Sequence, residues 1–288
     1  MNEYEHEAFS SGHRFLEAPR WHDGQLWVSD FFAKTVLRFA EDGSAEVVAS
    51  VEGTPSGLGF LPDGRVLVVS QQDAMILEIG EGGSLTPYAD YSHIATSVAN
   101  EMLVSADGHV YAGNFGFLLG AEEPRPAYLA HVAPDRSVRR VDADLMFPNG
   151  TAMTPDGTLL VAETISHRIT AFDLDERRHP VNPRVWAQLD DSLHPDGIAL
   201  DSEGGVWFGN ALTLGDDSGF YRVVEGGEIT DRIPTRGTWA VACAFGGEQL
   251  NRLYMSCNTT TLDDFLAGRS SGEIRVADVK HSGVPHSQ

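Results

Sequence analysis

An all-β, six-bladed propeller of four-stranded blades is what this sequence predicts, on three observations. A hairpin unit repeats from end to end, its turn signals recur roughly every 40 to 50 residues, and no Pro/Ser linker or low-complexity block separates the copies. Each unit has a polar residue, a short alternating strand, an acidic-Gly turn and a second strand rich in Val, Leu and aromatics, which reads as a β-hairpin.

The clearest copies span residues 55–69, 100–111, 148–161 and 195–207, with turns at Asp23-Gly24, Asp63-Gly64, Asp107-Gly108, Asp156-Gly157 and Gly204-Gly205. A degraded sixth copy covers 240–247 and continues into 253–256. Third strands follow at 35–39, 74–79, 128–132, 168–172 and 219–223, and shorter fourth strands at 45–48, 138–141 and 184–186. Four-stranded sheets packed radially leave only short edges exposed. Closing the ring requires the two ends of the chain to share a blade, so residues 272–277 are expected to pair beside the N-terminal segment. One short helix is expected at 261–267. The whole of 1–288 reads as a single propeller domain.

Composition narrows the function classes. The 42% hydrophobic content suits a globular chain with a substantial core. Lys plus Arg number 20 against 42 Asp plus Glu, and a formal charge of -22 repels phosphate backbones and anionic lipid surfaces. Nucleic acid and membranes are therefore not expected partners. No apolar run approaches a membrane span, and the acidic start Met1-Asn2-Glu3-Tyr4-Glu5 is unlike a signal peptide, which makes a cytoplasmic protein the expectation. Cys243 and Cys257 are too few for a disulfide framework and read as buried thiols on neighbouring strands. Two insertions, 113–126 with Phe115 and Phe117 and 212–218, read as loops over one end of the ring.

Counting back from the turns isolates the chemistry. Seven residues before Asp63, Asp107, Asp156 and Glu203 stand Ser56, Asn100, Asn149 and Asp196, while Glu17 lies six before Asp23, a slip of one that a bulge or a shorter turn absorbs. The turn aspartates themselves do turn work. In a propeller the innermost strands line the channel, so Glu17, Asn149 and Asp196, with Asn100 beside them, converge there. Two carboxylates and an amide carbonyl suit a hard or borderline divalent cation, Ca²⁺, Mg²⁺, Mn²⁺ or Zn²⁺. No His/Cys spacing for a closed structural zinc site is present.

The motifs Glu17-Ala18-Pro19-Arg20-Trp21, Phe147-Pro148-Asn149-Gly150, Pro195-Asp196-Gly197-Ile198-Ala199-Leu200 and Cys243-Ala244-Phe245-Gly246-Gly247, in this order and spacing, resemble the regucalcin/gluconolactonase family over nearly the whole chain. The resemblance implies one divalent metal held in the channel by Glu17, Asn149 and Asp196, hydrolysis of lactones, and a substrate- and water-contacting role for Asn100. Vertebrate members carry an Arg two residues before that Asn to hold a sugar's hydroxyls. Val98 stands there in this chain, which argues against a strict sugar lactonase. Phe115, Phe117, Phe147 and Trp239 suggest a less polar pocket, with His194 beside Asp196 facing either ligand or solvent. The expected reaction is metal-assisted opening of a small-molecule lactone, with Asp196 as the base. An organophosphate hydrolase, a ring-opening isomerase or condensing enzyme, and a non-catalytic metal-binding platform remain as alternatives, because a scaffold does not dictate its reaction.

Overall fold

The innermost strand of every blade carries an extra residue, and that irregularity organises the ring. In the computed structural model, which describes residues 1–285, Leu16–His22, Pro55–Phe60, Ala99–Val104, Pro148–Met153, Pro195–Leu200 and Trp239–Gly246 each open a sheet. Each touches the innermost strand before and after it, the sixth meeting the first, so the ring closes. In the first five blades two residues on the inner strand oppose one on its neighbour, as Asn149 and Gly150 do between the Pro148–Glu163 and Thr151–Val161 pairs. The sixth has its own bulge between Ala240 and Ala242. A bulge sharpens the twist and re-aims the side chains around it.

Behind the inner strand of the first five blades three more strands follow in chain order, and the last blade takes its outermost strand from the N-terminal segment, so each of the six blades has four antiparallel strands. The second strands are apolar on both faces because each blade is covered on both sides. Leu67 and Val69 pack toward the third blade while Val68 between them packs toward the first. Trp207 likewise faces the sixth blade and its neighbours Val206 and Phe208 the fourth. Six apolar clusters result, one in every interface between adjacent blades, including that between the sixth and the first.

Ring closure takes the expected form. Ser271–Asp278, the third strand of the last blade, pairs antiparallel with Glu7–His13, so both ends of the chain build one sheet. One feature goes beyond expectation, for Asn2–Glu3 lies parallel to Ile229–Pro234 as a fifth strand on the preceding blade. The short helix is Leu262–Leu266, capped by the Thr261 hydroxyl on the Asp264 amide. No helix among the described residues is long and apolar enough to cross a membrane. Cys243 and Cys257 are both buried as thiols.

Candidate functional site

Each inner strand begins at one end of the channel and runs toward its hairpin turn at the other, an Asp-Gly turn in the first four blades. Asn100, Asn149 and Asp196 fall on the bulge near the start, at one ladder position in three successive blades. Glycine follows two of them because the next strand's backbone is pressed against the bulge. A Cβ on Gly150 would lie 2.4 Å from the Ile198 nitrogen and 2.5 Å from the Asp196 carbonyl oxygen. Glu17 arrives from one position earlier, since it stands opposite Ser29 as Pro148 stands opposite Glu163. The first hairpin's turn is tighter, joining His22 and Gln25 through two residues. Ala18, next to Glu17, is held at φ +50°, a left-handed conformation that costs a non-glycine residue about 1–3 kcal/mol and tends to accompany functional sites.

Burial and hydrogen bonding point the same way. Asn149 and Asp196 are buried, and Glu17 is partly exposed with its Oε2 shielded from solvent. Glu17 Oε2, Asn149 Oδ1 and Asp196 Oδ1 are all buried without a hydrogen-bond partner among the described residues. Buried polar atoms are nearly always satisfied in folded proteins, so the presence of all three expected ligands among the unpartnered side chains of this structure points to a missing partner. Burial above all, then the charges of Asp196 and Glu101, pushes the Glu17 carboxyl well above its ordinary value, against a smaller pull from Arg20. Asp196 is pushed up in the same way by burial and by Glu101. A cation would remove that repulsion and supply a partner. The donor set fits one: two carboxylates and one amide oxygen are hard ligands that leave room for water. Among the described residues no three His, Cys, Asp or Glu side chains form a metal-holding group, and the set proposed here includes an amide instead.

The amide's orientation is fixed by a relay. Thr164 Oγ1 donates to the Pro195 carbonyl at 2.8 Å, so it has only lone pairs to offer Asn149, whose Nδ2 lies 3.2 Å away. Asn149 Oδ1 is thereby left on the other side. Asn100 is likewise tethered, its Nδ2 donating to the Pro148 carbonyl at 3.1 Å. His194 is half-buried beside His167, ring centroids 4.7 Å apart, with its Nδ1 unpartnered. Burial, then His167, pushes its pKa down, a contact with the Thr164 backbone opposing, which favours a neutral imidazole.

Two groups absent from the sequence-based set belong here. Arg20 and Glu101, both buried, form an ion pair at 2.6 Å, and Arg20 also holds the carbonyls of Leu58, Pro19 and Met102. Glu101 occupies the bulge position filled by glycine in the second, fourth and fifth blades. Its Oε1 is a fourth orphaned oxygen. The second group lies six residues beyond the turn glycine in each of five blades: Asp30, Ser70, Asn114, Glu163 and Asn210. Four of these accept from the backbone leading into their own inner strand, at Phe15, Thr96, Met146 and His194. The same count from the turns exposes them in the sequence.

The expected aromatics divide between two clusters. Phe115, Phe117 and Phe147 pack together with Val98, Leu119 and Ile165, Phe115 and Phe147 centroids being 4.4 Å apart. Trp239 joins Phe15, Phe31, Phe32, Phe265, Leu212 and Leu214. The two insertions thus contribute to walls beside the starts of the inner strands. At the opposite mouth a larger cavity of about 750 Å³ lies among the turns, lined by Trp21, His22, Phe60, Pro62 and Leu250. Glu17, Asn149 and Asp196 are not in its lining, whereas Arg20 is.

A closed ring of six blades with unpartnered hard oxygens at one end of its channel defines a propeller with a candidate cation centre. The chain belongs to the SMP-30/gluconolactonase/LRE-like family, whose model matches residues 15–259. It is 27% identical over 251 residues to 6-deoxy-6-sulfogluconolactonase from Pseudomonas putida, covering 83% of this chain and 82% of that protein. Regucalcin from Oryctolagus cuniculus is 23% identical over 204 residues, covering 65% of this chain and 64% of its own, a little under two thirds of its length. Among solved structures, a calcium-binding protein, regucalcin, from Agrobacterium tumefaciens superposes with a TM-score of 0.77 at 20% identity, over 98% of this chain and 97% of that one. At that identity the likeness speaks for the fold.

Proposed function

We propose that this protein is a divalent-metal-dependent lactonase in which Glu17, Asn149 and Asp196 hold the cation. The observation that carries the reading is the coincidence of three orphaned oxygens, Glu17 Oε2, Asn149 Oδ1 and Asp196 Oδ1, on the three residues picked out by repeat spacing. Membership of a gluconolactonase family and likeness to a named lactonase support the reaction class. The all-oxygen set favours Ca²⁺, Mg²⁺ or Mn²⁺ over Zn²⁺, which more often takes nitrogen and sulfur. The name of the Agrobacterium protein agrees with calcium.

A divalent cation bound there would polarise the lactone carbonyl and lower the pKa of a water. Asp196 takes the proton of the attacking water as a general base. Asn100, its amide fixed by Pro148, orients substrate or water. The Arg20–Glu101 pair sets the charge beside Glu17 and Asp196. Phe115, Phe147 and Trp239 keep bulk water from the reacting carbonyl.

The test is turnover of a lactone panel by protein stripped with chelator and reloaded with each metal. Activity should vanish and return with the ion. Asp196→Ala should lower kcat by about a thousandfold or more with the melting curve still cooperative, general-base and metal-ligand losses acting together. A variant as fast as the parent removes Asp196 as the base. Hydrolysis of organophosphates but no lactone would reassign the electrophile.

A further inference from the structure

We propose that the substrate carries a hydrocarbon substituent, a short alkyl chain or a single aromatic ring, seated in an apolar cavity beside the candidate metal centre; this rests on the lactonase reading above. The cavity has a volume of about 330 Å³ and is lined by Leu119, Leu212, Leu214, Trp239 and Leu262, with two threonines completing it. No lining residue is charged, so a carboxylate or sulfonate finds no countercharge there, and beside the two threonines and the Trp239 indole a sugar ring's several hydroxyls find few partners. A polyhydroxylated group would leave its hydroxyls unpaired against leucine, whereas a hydrocarbon gains by leaving water.

Position ties the cavity to the reaction. Trp239 opens the innermost strand of the sixth blade, at the end of the channel where Asn149 and Asp196 begin theirs. Its ring packs against Phe15 at 6.5 Å, and Phe15 lies two residues from Glu17. On the other side Leu119 belongs to the cluster of Phe147 and Val98, and Phe147 lies two residues from Asn149. The cavity therefore shares walls with both aromatic clusters that stand beside the orphaned oxygens.

Exposed leucines stand on the same helix and insertion. Leu262 and Leu266 of the short helix are 41% and 50% exposed, and Leu118 is 49% exposed. Insertion and helix meet closely there, since a Cβ on Gly120 would come within 2.5 Å of Leu266 Cδ1. Size sets the class of substituent. A cavity of about 150 Å³ takes one benzene ring, so this one holds a ring or a short chain together with its link to the lactone.

Binding can be read without turnover by using γ-lactams, which keep the ring and carbonyl but resist hydrolysis. Calorimetric titration of the metal-loaded protein with 5-alkyl-2-pyrrolidinones, from unsubstituted to hexyl, should show affinity rising about fourfold per methylene and then levelling off. The same slope should appear in kcat/KM for the matching γ-lactones. Leu262→Glu changes an exposed residue, so folding is preserved, and it should flatten both slopes, as should Leu214→Ala.

Affinity independent of chain length, or a polyhydroxylated lactam bound as tightly as the hexyl one, overturns the proposal. So do slopes that survive both substitutions. A lactam slope without any lactone turnover keeps the hydrocarbon site and sinks the hydrolytic reading. Turnover without a slope does the reverse.

Discussion

Thr164 decides which way the Asn149 amide faces. Its single hydroxyl proton goes to the Pro195 carbonyl, so it can only accept from Asn149 Nδ2, and the amide oxygen is left for the channel. Outer residues of this kind typically change metal affinity by about 10- to 100-fold. Thr164→Val keeps the shape and removes both hydrogen bonds, so Ca²⁺ or Mn²⁺ should bind about tenfold more weakly in a titration calorimeter. Unchanged affinity would mean that the relay does not orient the ligand. Spacing in the sequence was enough to single out Glu17, Asn149 and Asp196, because equivalent hairpins put equivalent residues at equivalent heights. It could not single out Arg20 or Glu101. Arg20 lies inside a family-like motif and Glu101 inside a hairpin copy, and only the meeting of the first and third blades makes them a pair.

At the scale of the element, the strands were legible because their composition answers to two packing partners. The second strands read as apolar runs since both faces are covered by neighbouring blades. The bulges were not legible, for an extra inner-strand residue looks like any other residue until its cross-strand partner is known. Contacts between blades were equally hidden, and one has a measurable consequence. His109, His131 and His179 form a chain, with His109 Nδ1 2.8 Å from His131 Nε2 and His131 Nδ1 3.0 Å from His179 Nδ1. Burial, with the neighbouring His109, His179 and Arg139 opposing a positive charge and Asp175 favouring one, lowers the His131 pKa to about 4. His109 and His179 are lowered too, chiefly by burial, with Asp107, Asp135 and Arg178 facing the first and Arg139, Asp175 and Asp142 the second.

The folded state thus resists protons that the unfolded chain accepts at a pKa of about 6.5. The stabilisation is fully present above about pH 6.5 and is lost as pH falls toward 4. His131→Phe preserves the stack on Tyr111, now 5.1 Å and 13° from parallel, and removes that titration. Its melting temperature should fall less between pH 7 and pH 4.5 than the parent's does, by about 5 °C. An equal fall in both proteins would show that this chain does not govern the acid response.

At the scale of the whole molecule, the ring stands or falls on the pairing of Glu7–His13 with Ser271–Asp278. Six apolar interfaces each bind two blades, so losing one seam weakens both blades beside it. The need for closure was readable from the repeat count, which leaves the last copy short of a fourth strand. The extra N-terminal strand Asn2–Glu3 was not, because two polar residues carry no periodicity and owe their place to the free edge of Ile229–Pro234. The two strands therefore predict opposite outcomes on truncation. Removing residues 1–5 deletes a two-residue pairing and the Tyr4 ring edge-on to Trp207, and should lower the melting temperature by only a few degrees, about 5 °C or less. Removing residues 1–13 also exposes the full length of Ser271–Asp278 as an unpaired edge and strips Phe9 from Phe39 and Tyr254. That truncation should melt more than about 10 °C lower and aggregate on heating. If the two truncations melt together, the seam is not what holds the ring, and cooperativity must come from the blade interfaces alone.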